Sequence, residues 1–215
     1  MKIAFVGAGK VGAPLAARLA EAGHDVVLGE AREGSASVAE ARKRSSKLSV
    51  KPMAEAVSGA EVVFLATPFA ANEEIVRSLS KELEGKTLVD CTNPVGPGLT
   101  HGLKSERSGS ELLQSLLPKT RVVKAFTIYG FENFENPSYP GHSVRPVMLF
   151  CGDDAGAKAE TAKLIEACQF EPLDVGGLVQ ALHLEHMTLL WVRMVRVHGH
   201  SPHLVWGALK RTPSA

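Results

Sequence analysis

Six residues near the start of the chain carry its clearest chemical signal. Gly7-Ala8-Gly9-Lys10-Val11-Gly12 spells Gly-x-Gly-x-x-Gly, led by the apolar run Ile3-Ala4-Phe5-Val6 and followed by an alanine- and leucine-rich segment from about Val11 to Ala22. That setting is a strand running into a helix, the context in which such glycines bind a dinucleotide. Gly7 permits the tight turn, Gly9 lets backbone amides approach a pyrophosphate, and Gly12 lets the helix pack close to the strand. The helix N-terminus, beyond Lys10 and Val11, then faces the phosphates. Glu30 stands just past the next apolar run, Asp25-Val26-Val27-Leu28, at 30 − 12 = 18 residues beyond Gly12. Its carboxylate would accept the ribose hydroxyls of NAD and repel a 2′-phosphate. Arg32 offers a cation to the 2′-phosphate of NADP instead. Both cofactors stay open.

Further residues fall in loops that should line the same cleft, because ligands of parallel α/β sheets sit at the C-terminal ends of the strands. These are Thr67-Pro68-Phe69, Asn93-Pro94 and Phe126-Thr127-Ile128. The two prolines would stiffen their loops, and Phe69 would lie against a nicotinamide ribose. Phe126, Tyr129, Phe131, Phe134 and Tyr139 are five of the chain's ten Phe and Tyr residues. Grouped beside a nicotinamide, they suit a flat apolar substrate ring; an anchored loop or a dimer contact would use the same residues. Two side chains are candidate proton donors. Lys124 qualifies if burial lowers its pKa, against the ordinary reading of a strand-end lysine facing solvent. His183, at the edge of a helical apolar arc, is the other. His183 and His186 share a helix face, but nothing in the spacing completes a metal site, so no metal is expected.

The elements that must position these residues alternate short apolar runs with helical stretches. That pattern predicts a doubly wound, mostly parallel Rossmann-type α/β sheet. Further strands are expected at Val62–Ala66, Thr87–Cys91, Arg121–Phe126 and Val147–Phe150. Helices are expected over 33–47, 72–83, 155–168 and 178–198, with a short piece at 55–57. Asn93 to Gly109, rich in glycine and proline, reads as an irregular loop; Ser108-Gly109-Ser110-Glu111 then has capping-box spacing for a helix over 112–117. Residues 1–175 form the expected dinucleotide-binding domain. Residues 176–215 form a helical extension that completes the pocket or a dimer interface. On the last helix, Leu184, Met187, Leu190, Trp191, Val192, Met194 and Val195 make a wide apolar arc with Glu185, His186, Arg193 and Arg196 opposite. Burial against a second copy would cover an arc that wide, and a core helix would show the same pattern.

Composition bounds the rest. Of 215 residues, 45% are apolar and 22% charged, an ordinary globular balance. Lys plus Arg total 24 and Asp plus Glu 23, so the formal charge of +1 gives no case for nucleic acid or an anionic membrane. No apolar run is long enough to span a bilayer, and the glycines interrupt the first run too early for a signal peptide. Three cysteines without metal-type spacing fit a reduced, cytoplasmic protein.

Four features together resemble a known family: the glycine loop, Asn93-Pro94, Val123-Lys124-Ala125-Phe126 and Cys151-Gly152-Asp153-Asp154. From Met1 to about Gly177 the chain is similar to the coenzyme F420-dependent NADP oxidoreductases, a family that also includes the cytosolic domain of six-transmembrane metalloreductases. The resemblance implies a Rossmann domain with a short helical C-terminal part, commonly dimeric. It also implies hydride transfer between NADP(H) and a deazaflavin or flavin. Two positions depart from the family pattern. Phe126 and Tyr129 stand where archaeal members use a histidine and a proline around the deazaflavin. Glu30-Ala31-Arg32 replaces a serine-arginine type pair for the 2′-phosphate. The expected activity is therefore an NAD(P)-dependent oxidoreductase with a deazaflavin- or flavin-type acceptor bound by Phe126, Thr127, Ile128, Tyr129 and Phe131. A reductase of small carbonyls or imines and a non-catalytic dinucleotide redox sensor are the alternatives.

Overall fold

The computed structural model describes residues 1–30, 32 and 34–211; Ala31, and Glu33 where the sequence begins its second helix, lie outside the described residues. The strands are β1 Lys2–Val6, β2 Asp25–Glu30, β3 Ser49–Pro52, β4 Val62–Leu65, β5 Thr87–Asp90, β6 Val95–Gly96, β7 Thr100–His101, β8 Arg121–Lys124, β9 Val147–Gly152 and β10 Glu171–Asp174. The helices are α1 Gly12–Glu21, α2 Ala36–Arg42, α3 Met53–Gly59, α4 Asn72–Ser78, α5 Ser80–Leu83, α6 Gly109–Leu116, α7 Glu132–Glu135, α8 Ala155–Ala167 and α9 Ala181–Arg196.

Eight strands form one sheet in the order β10-β9-β8-β5-β4-β1-β2-β3. The chain winds outward from β1 through β2 to β3, then returns to β4 on the other side, so the winding reverses between β1 and β4. That reversal opens a crevice above the strands' C-terminal ends. The central strands bury apolar residues toward both faces because helices cover both, and their polar residues fall at the strand ends. Ile3 and Phe5 join one core cluster with α1 and α8, while Ala4 and Val6 join the opposite cluster with α3, α4, α5 and α6. β9 runs antiparallel to β8, and β10 pairs parallel to β9.

Two strands of the eight-stranded sheet escape the sequence pattern, β3 (Ser-Val-Lys-Pro) and β10 (Glu-Pro-Leu-Asp). Both are sheet edges, where polar residues and proline are tolerated because one side makes no ladder bonds. The glycine- and proline-rich stretch after β5 holds the small β6–β7 hairpin rather than staying irregular. Helix ends follow local chemistry. Ser108 and Glu111 form the reciprocal capping box of α6, and Asp154 accepts the Ala157 amide at 2.7 Å to start α8. α9 differs from its expected placement. Leu184, Trp191 and Val195 are buried within the one chain, and so is Glu185 at 1% exposure, although the sequence put it on the polar side. Much of the apolar arc is thus covered by the protein's own domain, and its width does not require a second copy. Among the described residues no helix is long and apolar enough to cross a membrane.

Candidate dinucleotide cleft

The glycine loop leaves β1 beside the winding reversal. Gly7 has φ +101°, and a Cβ there would stand 2.6 Å from the Ala66 carbonyl oxygen at the end of β4. A Cβ at Gly12 would lie 2.1 Å from the Gly7 carbonyl oxygen, so α1 reaches the loop only because position 12 has no side chain. At Gly9 the same hypothetical atom meets nothing within 4 Å. Two glycines therefore close the turn and the third leaves a cradle bare. Open space beside backbone amides at the head of a helix fits a pyrophosphate. Val11 packs against the core, while the Lys10 ammonium lies 4.8 Å from the centre of the Phe131 ring.

The neighbouring loops converge on this crevice. The methyl of Thr67 lies 3.0 Å from the hypothetical Cβ of Gly7. Pro68 is exposed, and the Phe69 ring packs on Gly109 at the head of α6. Asn93 is half-buried, its Oδ1 3.1 Å from the Thr188 hydroxyl of α9, whose single proton has the Thr127 carbonyl at 2.9 Å as an alternative acceptor. Pro94 is buried, and its carbonyl accepts the Gly102 amide across the hairpin. At the end of β2, one oxygen of the Glu30 carboxylate accepts the Ser35 amide at 2.7 Å, while Arg32 is exposed.

Lys124 is neither solvent-facing nor free to donate. Its side chain is fully buried, with Nζ 3.0 Å from Asp90 Oδ2, 2.9 Å from Glu185 Oε1 and 2.5 Å from the Thr92 carbonyl oxygen. An ammonium has three protons, and all three are committed. Burial by itself would lower its pKa, but the Asp90 and Glu185 carboxylates outweigh burial and hold it above the usual lysine value. Its expected role as an acid softened by burial is therefore corrected. Asp90 also accepts from the Thr92 amide, the Thr92 hydroxyl and the Ser110 hydroxyl. Glu185 accepts from the Gly109 amide at 2.9 Å and from His101 Nε2 at 2.8 Å. His101 Nδ1 accepts the Leu103 and Ser105 amides, which places its proton on Nε2. The imidazole is thus a neutral donor. One buried cation stands between two buried carboxylates, each met by further donors, as a desolvated ionic cluster requires.

His183 does not join this cluster; it is exposed on α9. Its neighbour His186 stacks on His101, with ring centres 5.3 Å apart. Among the described residues no group of three or more His, Cys, Asp or Glu side chains could hold a metal ion.

The aromatic loop is corrected as well. Phe126, Ile128, Tyr129 and Phe134 are core residues, each at most 3% exposed. Phe126 takes the left-handed conformation, φ +56°, as the chain leaves β8 to reverse into antiparallel β9, and its ring lies 5.7 Å from Phe64 and 6.1 Å from Phe134. The Tyr129 hydroxyl donates to the Val147 carbonyl at 2.8 Å. These rings hold the β8–β9 reversal together instead of lining a pocket. Thr127 is buried too, and Phe131 is half-buried beneath Lys10. The sequence reading missed Asp90, Glu185, His101, Asn72 and Thr92. Only Asp90, a carboxylate closing an otherwise uncharged strand, carried a local signal.

Comparison with known proteins supplies the family. Residues 2–94 match the family model described as NADP oxidoreductase, coenzyme F420-dependent. The F420-dependent NADP reductase of Methanothermobacter marburgensis is 30% identical over 213 residues, covering 90% of this chain and 92% of the relative. Metalloreductase STEAP3 of Rattus norvegicus is 33% identical over 193 residues, 87% of this chain, which spans only 36% of that longer protein. A crystal structure of a candidate F420-dependent NADP-reductase from Arthrobacter sp. FB24 superposes with a TM-score of 0.82 at 27% identity, covering 93% of this chain and 95% of the other.

Proposed function

The chain belongs to the coenzyme F420-dependent NADP oxidoreductase family and is a nicotinamide-dependent oxidoreductase; from that premise we propose that its dinucleotide is NADP(H) and its hydride partner a deazaflavin- or flavin-type ring. The observation that carries the acceptor is the commitment of Lys124. A carbonyl or imine needs a proton as it takes up hydride, and the two donors named from sequence are unsuited: Lys124 is sealed and paired, and His183 is exposed on α9. A deazaflavin or flavin ring spreads the incoming charge over itself, so the protein needs chiefly to orient two rings.

When bound, the nicotinamide supplies or receives the hydride. The amides of the Gly7–Gly12 loop hold the pyrophosphate, with Lys10 and Val11 flanking, while Thr67, Pro68, Phe69, Asn93 and Pro94 wall the nicotinamide half. Two observations favour NADP over NAD. One Glu30 oxygen is engaged by the Ser35 amide, and Arg32, two positions further along the chain, is exposed and open to a 2′-phosphate. The family relatives are, moreover, named as NADP reductases. A homodimer is also proposed, resting on Leu190 of α9 and Val197 just after its end, which leave 52% and 58% of their surface exposed; sedimentation of the pure protein checks it.

The test is oxidation of NADPH and NADH against a deazaflavin, flavins, simple ketones and imines. Turnover with the ring acceptors and at least tenfold preference for NADPH is expected. Turnover confined to carbonyls or imines would overturn the acceptor, and tight dinucleotide binding with no turnover on any acceptor would favour a redox sensor.

A further inference from the structure

The ionic cluster does not end at Asp90. The Thr92 hydroxyl lies 2.7 Å from Asp90 Oδ1 and 2.8 Å from Asn72 Nδ2, and Asn72 Oδ1 lies 2.8 Å from the Thr67 hydroxyl. A continuous hydrogen-bonded row thus runs from the buried Lys124–Glu185 pair to a loop of the dinucleotide cleft. Asn72 and Thr92 are at most 4% exposed, so no solvent relaxes the row.

Each proton in the row has one direction. Asp90 receives the Lys124 ammonium, the Ser110 and Thr92 hydroxyls and the Thr92 amide, which leaves it no acceptor for a proton of its own. The Thr92 hydroxyl must therefore spend its single proton on Asp90 and can only accept from Asn72. That turns the Asn72 amide so that nitrogen faces Thr92 and oxygen faces Thr67. The Thr67 hydroxyl must then give its single proton to Asn72, since withholding it leaves a buried carbonyl unpaired.

We propose that this row makes Thr67 a hydrogen-bond acceptor toward the cleft, a binding residue for a donor group on the nicotinamide half of the dinucleotide, with Asn72 as its positioning residue. The inference rests on the dinucleotide reading above. It assigns the chemistry met by Thr67: a ribose hydroxyl or the carboxamide amine, and not a phosphate oxygen, which carries no proton. The glycine-loop amides donate to the phosphates while Thr67, its methyl seated against Gly7, accepts beside them.

The experiment titrates NADP⁺ and its 3-acetylpyridine analogue, in which a methyl replaces the carboxamide amine, into the unaltered protein, Thr67→Val, Thr67→Ser, Asn72→Leu and the double variant Thr67→Val/Asn72→Leu. Thr67→Ser is expected to bind NADP⁺ within about twofold of the unaltered protein. Thr67→Val and Asn72→Leu are each expected to bind about three- to tenfold more weakly, the range of one neutral hydrogen bond. Asn72→Leu should add nothing once residue 67 is valine, a non-additivity that mere loss of stability would not produce. If the Thr67→Val loss vanishes with the analogue, the donor is the carboxamide amine; if it persists, the donor is a ribose hydroxyl. Full NADP⁺ affinity in Thr67→Val overturns the inference and leaves the dinucleotide reading intact. No NADP⁺ binding by the unaltered, folded protein overturns that reading and this inference with it.

Discussion

The glycine loop and the Lys124 cluster lie at neighbouring places above the same sheet, yet they are built by opposite means. The loop works by lacking side chains: its tolerances are 2.1 Å at Gly12 and 2.6 Å at Gly7, against backbone atoms that have no room to yield. The cluster works by having them. It gathers charged and polar groups from β5, β7, β8, the head of α6 and α9 into a volume closed to water. The loop is local and made for a ligand. The cluster is long-range, and it ties α9 to the strand ends that face the ligand. Breaking each should fail in its own way, in stability for the cluster and in binding for the bare part of the loop.

The largest expected effect is Lys124→Met. Removing the ammonium leaves two buried carboxylates facing each other, a loss of about 3–5 kcal/mol for one broken member of a buried ionic group. Equilibrium unfolding in urea measures it. The pH dependence sharpens the assignment. The folded pKa of Lys124 lies above its unfolded value, near 10.5, so its contribution is fully present below that pH and is lost as pH rises through the folded value. The gap between unaltered protein and variant should accordingly hold steady near neutrality and close in strong alkali. The Cys168 thiol, pushed up to about 12 by burial, destabilises both proteins alike over that range and cancels in the difference. Burial raises Cys91 and Cys151 as well, but the Lys124 ammonium lowers them in part, so their contributions cancel only once Lys124 has lost its proton. A variant as stable as the unaltered protein at pH 7 would mean that the carboxylates find other partners.

Within the loop, Gly12→Ala and Gly9→Ala separate fold from ligand. Alanine at 12 must displace the Gly7 carbonyl, and overpacking of that kind costs about 1–3 kcal/mol while moving the head of α1. Alanine at 9 enters open space, so the melting temperature should stay within a degree or two while dinucleotide affinity falls about tenfold or more. Calorimetry and titration on the same samples check both. Equal loss of stability in the two variants would erase the distinction between the turn and the cradle.

What was legible in the sequence follows the same division. The loop, the core strands and the caps at Ser108 and Asp154 are written in adjacent residues, where spacing alone dictates geometry. Glu185 was assigned to the polar side of α9 because helical periodicity sorts residues by type; a carboxylate pointing inward is sensible only once Lys124, 61 positions away, is known to meet it. Phe126 and Tyr129 misled for a related reason. Aromatic residues bunched in a loop look like a binding surface until β9 is seen to run antiparallel, which makes them the packing of a chain reversal. Charge and aromaticity announce chemistry, but only topology says whether that chemistry faces water, ligand or core.

His183 gives the smallest expected effect and the sharpest check on that division, because it was singled out by residue type alone. It is exposed on α9, one position before Leu184 and two before Glu185, both of which turn inward. Surface substitutions away from such features stay within about 0.5 kcal/mol. His183→Ala should therefore leave the melting temperature unchanged and turnover of a ring acceptor within about twofold. A fall of a hundredfold would show that a substrate reaches His183 after all and that a proton donor is needed. The ring-to-ring transfer favoured by the sealed Lys124 would then give way to reduction of a carbonyl or imine.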